Sequence, residues 1–154
     1  MTDVGDLRTF AHAEAGFAID LPIHSEVIEN LNGVALVAIE PGDPGAFRAN
    51  INVVIERLGG ELGLAEYTTR SLEVQGRELA HWRLIDRTED LLSETLPAVR
   101  TLSHHEVAGQ PIVLEQWRVT SHDLGFVISA SSSPLDYDAV ADTMSTCADS
   151  FRLI

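Results

Sequence analysis

A chain of 154 residues with 45% hydrophobic and 22% charged side chains has the make-up of one globular domain, large enough to bury a full core without staples. Its formal net charge of −14 excludes a nucleic-acid backbone and an anionic lipid surface as partners, because both would be repelled. All ten basic residues are arginine, which removes lysine Schiff-base and lysine general-base chemistry, and the single cysteine, Cys147, permits no internal disulfide.

The N-terminal run MTDVGDLRTF has neither a basic n-region nor an apolar h-region, and no apolar run approaches the ~18 residues that a membrane span needs. The expectation is a cytoplasmic domain over residues 1–154 with no membrane partner. Residues 1–6 are expected to be loose. Arg8 to Ala13 reads as a short strand, and Glu14, Ala15 and Gly16 as a turn. Phe17, Ile19 and Leu21 alternate with Ala18 and Asp20, so GFAIDLP is a strand stopped by Pro22. Ile23 to Asn32 reads as irregular chain or a short helical turn.

GVALVAIE (33–40) is apolar on both faces, as a strand covered on both sides would be. PGDPG (41–45) is a strong turn signal. Phe47 to Leu58 follows as a long amphipathic strand, so 33–40 and 47–57 make a hairpin. Gly59 and Gly60 break it. Leu62 to Gln75 reads as a helix with Leu64, Tyr67, Ser71, Leu72 and Gln75 on one side, and Gly76 as its stop. Leu79 to Arg87 returns to strand, and TEDLLSET (88–95) reads as an acidic connection.

Three strands come next: Leu96 to Glu106, Pro111 to Ser121 and Leu124 to Ser131. In the middle one Val113, Glu115, Trp117 and Val119 face one way and Ile112, Leu114, Gln116 and Arg118 the other. In the last, Phe126, Ile128 and Ala130 oppose Val127 and Ser129. A final helix is the best-specified element. Ser133 can cap it, Pro134 fits its first position, and Tyr137, Val140, Met144, Cys147 and Phe151 form one apolar stripe. Sequential hairpins with interspersed helices imply an α+β domain whose sheet is mostly antiparallel and carries the C-terminal helix on one face.

This order, with the phrases GFAIDLP, FRANINVVIERL, GQPIVLEQWRV and the closing ADSFRL, resembles the Mog1p/PsbP-like superfamily over about residues 10–153. Within it the chain is most similar to the bacterial branches, the LpqN/LpqT-type domains and the DcrB/Eag-chaperone group. The resemblance implies an antiparallel sheet of about six strands sandwiched with helices. It also implies a non-enzymatic role, since members bind partners: a small GTPase for Mog1, photosystem subunits for PsbP, hydrophobic effector segments for the Eag chaperones. It brings no fixed set of functional residues. The chain departs from the lipoprotein members in having no lipobox cysteine near its start.

The residues themselves assemble no catalytic set, no metal site and no cofactor site. His104, His105 and Glu106 are the densest metal-capable run, but adjacent strand residues point to opposite faces, leaving only His104 and Glu106 able to share an ion. Cys147 falls on the apolar stripe, where a small buried thiol is inert. His122 and Ser131 mark opposite ends of one strand, about 30 Å apart, which separates the only Ser, His and Asp that the sequence places near one another. RLGGELGL has glycines but no Lys-Ser/Thr.

Trp82, Arg100, Trp117 and Arg118 stand out as candidate partner-binding residues, because Trp and Arg are enriched at binding hot spots. The functional expectation is therefore a non-catalytic protein-binding or adaptor domain, chaperone-like, binding another protein or a second copy of itself. The alternative is a small hydrophobic-ligand-binding protein or cyclase-like enzyme with an α+β pocket.

Overall fold

Alternating side chains build the strands, and the two helices are added where the period changes. The computed structural model describes residues 5–43 and 45–154. Residues 1–4, expected to be loose, and Pro44 of the expected turn lie outside the described residues. The chain order is β1 (Leu7–His12), β2 (Phe17–Pro22), β3 (Glu26–Leu31), β4 (Val34–Ile39), β5 (Asn50–Arg57) and α1 (Leu64–Glu78). It continues with β6 (Ala80–Leu92), β7 (Leu96–Val107), β8 (Gln110–Ser121), β9 (Leu124–Ser132), α2 (Tyr137–Asp149) and β10 (Arg152–Leu153). A seven-stranded sheet runs in the order β3-β4-β5-β9-β8-β7-β6, and a three-stranded sheet in the order β1-β2-β10. Every pairing is antiparallel.

Side-chain alternation decides what each face of the large sheet buries. On the inner face, Ile51, Val53, Trp117, Val119, Phe126 and Ile128 form one core with Phe17, Ile19 and Leu21 of β2 and with Met144, Cys147 and Ala148 of α2. The small sheet and α2 thus cover this side together. The outer face carries Thr101, Gln116, Arg118 and Ser129, all buried, under α1. The stripe expected on α1 is the one it uses: Tyr67 and Leu72 are buried, and Ser71 and Gln75 half-buried.

Three aromatic rings join the layers. Phe151 stacks on Phe17 of β2 at 5.4 Å and lies 5.7 Å from Phe126 of β9. The chain around it is held by hydrogen bonds as well. Asp20 N donates to Ser150 Oγ at 2.7 Å, and Ile154 N donates to the Gly16 carbonyl at 2.9 Å.

Several expectations are corrected. Residues 23–32 were expected to be irregular or helical, but Glu26–Leu31 is the edge strand β3 and pairs only with β4. Its side chains are exposed or half-buried, so no alternating apolar signal marks it. The acidic stretch 88–95 is not a connection. β6 continues through Leu92 against β7, and the reversal is made at Ser93 and Glu94, both at positive φ. Gly76 does not stop α1 but lies within it, where a Cβ would come 3.4 Å from the Trp82 ring. The sheet has seven strands where about six were expected, and the N-terminal hairpin belongs to a second sheet.

α2 begins at Tyr137 and ends at Asp149, so Phe151 is buried just beyond the helix. Ser133 braces the turn before it, accepting from Asp136 N at 3.2 Å and donating to the Asp136 carboxylate at 3.0 Å.

Two measurements check this core. Truncating Phe151 or Met144 to Ala is expected to cost about 2–5 kcal/mol in urea unfolding, and a loss below about 0.5 kcal/mol would mean that the C-terminal segment is not docked. Burial also pushes the Cys147 thiol from its ordinary 9.0 up to about 12. The folded value lies above the unfolded one, so this group's stabilisation is complete below 9 and is lost as pH rises from 9 toward 12. The thiol is expected to resist a disulfide-exchange reagent at neutral pH in the native protein and to react on unfolding.

Candidate functional site

The four residues singled out from the sequence do not share a surface. Trp117 and Arg118 are neighbours on β8 and so point to opposite faces. Trp117 is 1% exposed in the inner core, and Arg118 is 0% exposed beneath α1. Arg100 is directly opposite Trp117 in register, so those two do meet. Trp82 is half-buried against Gly76 of α1, the helix that also covers Arg118. Trp117 and Arg118 therefore cannot offer their side chains to a partner at the surface.

On the inner face, Arg100 pairs with the buried Glu115 and reaches Asp86 at 3.3 Å. Burial, helped by Asp90, lifts the Glu115 carboxyl above its ordinary value, and Arg100 pulls it back in part. Burial acts to lower Arg100, but Glu115, with Tyr137 and Asp86, more than offsets this and holds the guanidinium above its ordinary value. Tyr137, at the start of α2, hydrogen-bonds to Arg100 and has its phenol raised by burial. This corner ties the helix start to the sheet edge.

Beneath α1 the contacts are of a different kind. Arg118 Nε donates to Ser71 Oγ at 2.8 Å, Nη1 to Thr101 Oγ1 at 2.9 Å and Nη2 to Gln116 Oε1 at 2.9 Å. Gln75 Nε2 donates to the same Gln116 oxygen at 2.7 Å, and Gln116 Nε2 donates to Ser129 Oγ at 2.9 Å. Every acceptor around the guanidinium is neutral, and burial drops its pKa to about 10. Against an ordinary 12.5, that fall corresponds to about 3 kcal/mol disfavouring the charged form.

Beside this network lies a cavity of about 400 Å³, with Tyr67, Ser71 and Gln75 on its helix wall and Gln116 and Ser129 on its floor. Tyr67 lies over Gly125, where a Cβ would meet its ring at 2.5 Å. Sequence reasoning placed Tyr67, Ser71 and Gln75 on one helix side but missed their meaning. The available signal was three polar-tipped side chains at i, i+4 and i+8 on the face turned toward the sheet.

A second opening, of about 680 Å³, lies between the start of α1 and the β6–β7 hairpin, lined by Leu64, Leu91, Pro97 and Val99 with Glu89 and Asp90. β6 ends the sheet here, so one of its backbone edges faces no strand among the described residues. Ile85 and Leu91 on it are 61% and 53% exposed.

Among the described residues no group of three or more His, Cys, Asp and Glu could hold a metal ion. Glu106 lies 3.8 Å from His81, and His105, on the other face from His104, is buried with its pKa lowered by that burial. Among the same residues no helix is long and apolar enough to cross a membrane.

Seven antiparallel strands sandwiched between one helix and a helix-plus-hairpin layer define the Mog1/PsbP-like α+β fold. LpqN of Mycobacterium tuberculosis, involved in cell envelope biogenesis, superposes with a TM-score of 0.70 at 12% identity, over 96% of this chain and 90% of its own. The cyanobacterial PsbP of Synechocystis gives 0.68 at 13% identity, over 99% and 95%. The Pseudomonas aeruginosa protein of unknown function PA94 gives 0.64 at 16% identity, over 92% of each chain. At these identities what is shared is the fold. No protein-family model matches the sequence, and no curated protein matches it.

The Arg118 environment makes a stability prediction. Arg118→Met keeps the bulk and removes an unpaired buried charge, so it is expected to leave stability within about 1 kcal/mol or to raise it. A loss above about 3 kcal/mol in urea unfolding would show that the guanidinium is needed to hold α1 down.

Proposed function

We propose that this protein is a non-catalytic binding domain that takes an extended segment of a partner protein along the free edge of β6. The observation that carries the reading is the coincidence of an unpaired strand edge, exposed apolar side chains and an adjoining cleft on one element. A sheet edge offers a row of backbone donors and acceptors, and a peptide that adds a strand satisfies them. Register shifts interrupt β6 between Ala80 and Arg83 and between Leu84 and Asp86, and such irregularities discourage indiscriminate edge pairing. From Asp86 to Leu92 the ladder with β7 is regular, which leaves one well-formed stretch for docking.

The chemistry of the cleft selects the partner. Leu64, Leu91, Pro97 and Val99 take apolar side chains, while Glu89 and Asp90 favour an Arg or Lys on the incoming segment. The net charge of −14 adds a long-range attraction for such a basic segment. The domain thereby acts as an adaptor or chaperone that holds an apolar, basic stretch of another chain.

Selection of a displayed random-peptide library on the whole protein tests this. Enriched peptides are expected to alternate apolar residues with at least one Arg or Lys. Leu91→Asp and Ile85→Asp are each expected to weaken them about tenfold or more, equivalent to ~1.4 kcal/mol. Absence of enriched peptides, or binding indifferent to both substitutions, would overturn the reading. So would light scattering that shows a dimer which these substitutions dissolve, since β6 would then be occupied by a second copy.

A further inference from the structure

The cavity beside α1 holds more hydrogen-bonding capacity than the protein uses. Two buried atoms on its helix wall have no partner among the described residues: the Tyr67 hydroxyl and Gln75 Oε1. Tyr67 is only 3% exposed, and a buried polar group left unmatched works against folding. The two residues stand eight positions apart on one side of α1, about 12 Å along the axis, with Ser71 between them. Three of the five N–H donors of Arg118 are engaged, all by neutral oxygens, just below Ser71 and Gln116. Arg57 and Arg70 stand at the rim, paired with Asp123 at 3.7 Å and Glu66 at 3.1 Å, and Glu56 is the one carboxylate among the lining residues. Of these arginines Arg118, beneath the cavity, is the one whose partners among the described residues include no carboxylate.

We propose that this cavity binds a small organic anion with three parts: a carboxylate that accepts from the Tyr67 hydroxyl near the buried Arg118 guanidinium, a flat apolar body, and a hydroxyl that donates to Gln75 Oε1. Each part answers a specific feature. Burial, with Glu56 nearby, raises the Tyr67 phenol, so it stays a protonated donor at neutral pH. Gln75 Nε2 is committed to Gln116, so its oxygen can only accept, and the ligand must donate there. Val54, Val74 and Val127 form apolar walls between the two ends. The volume of about 400 Å³ falls in the range of small-molecule sites. Separate waters would satisfy the two orphan atoms, but would leave the valines wet and the buried guanidinium unanswered.

The site is separate from the β6 edge and stands or falls without it. The test is a titration of the full-length protein with 4-hydroxybenzoate, benzoate and the uncharged 4-hydroxybenzamide, followed by backbone amide NMR. The expected result is saturable binding of 4-hydroxybenzoate with shifts at Tyr67, Ser71, Gln75, Gln116 and Ser129, weaker binding of benzoate, and the weakest of the amide. Tyr67→Phe is expected to weaken both acids about tenfold, a change of ~1.4 kcal/mol. Gln75→Leu is expected to erase the difference between 4-hydroxybenzoate and benzoate. Both variants should keep the native amide spectrum outside the cavity. The proposal is overturned by no saturable binding up to about 20 mM, where only an affinity weaker than ~2 kcal/mol would be missed. It is equally overturned if the amide binds as well as the acid, or if Tyr67→Phe changes nothing.

Discussion

The architecture depends on one cluster of rings. Phe17, Phe126 and Phe151 come from the second strand, the ninth strand and the chain after the last helix, and their centroids lie 5.4 to 6.5 Å apart. Aromatic contacts of this kind contribute about 0.5–1.5 kcal/mol each beyond the area they bury. Their position matters more than that increment. Besides them, the three-stranded sheet is joined to the large sheet by aliphatic contacts and by the hydrogen bond between His12 and Asn30 at 3.1 Å. Arg152, which reaches Asp20 at 3.5 Å, and the two-strand pairing of β10 with β2 hold the same junction from outside.

The two faces of the large sheet follow different physical rules. The inner one is largely apolar, and its charged residues Arg100 and Glu115 satisfy each other. The outer one is wired by amides, hydroxyls and a guanidinium. A helix seated on such a network gains specificity of position more than depth of stability, because each bond replaces one made to water. Burying Arg118 without a carboxylate works against folding. Sites that carry such a cost are where binding and stability commonly compete.

How much of this could be read from the residues differs by element. The facing of β8 was fully legible: Trp117 and Val119 go inward, Gln116 and Arg118 outward, as strict alternation requires. The α2 stripe was legible too, except that Phe151 leaves the helix while keeping its place in the core. β3 was not, because EVIENL lies at a sheet edge and buries no alternating face. The far half of β6 was hidden for the same reason, its acidic residues being solvent-facing positions of a real strand. The candidate site was only half legible. Residue types drew attention to Arg118, yet its environment depends on which face α1 covers, and nothing local to β8 encodes that. Gly125, which gives the Tyr67 ring its seat, carries no signal until the helix is placed above it.

The junction of β2 with the chain after α2 also sets an order of assembly. The meander from β6 to β9 pairs strands that are adjacent in sequence, whereas the bond from Asp20 to Ser150 spans 130 residues. Closing so long a loop carries an entropic cost that neighbouring hairpins avoid. The meander is thus the cheapest nucleus, and the N-terminal hairpin waits, with Phe17 and Ile19 bare, for a segment 130 residues further along the chain. Until then that hairpin offers an apolar face to competing contacts, and the segment around Phe151 is what withdraws it.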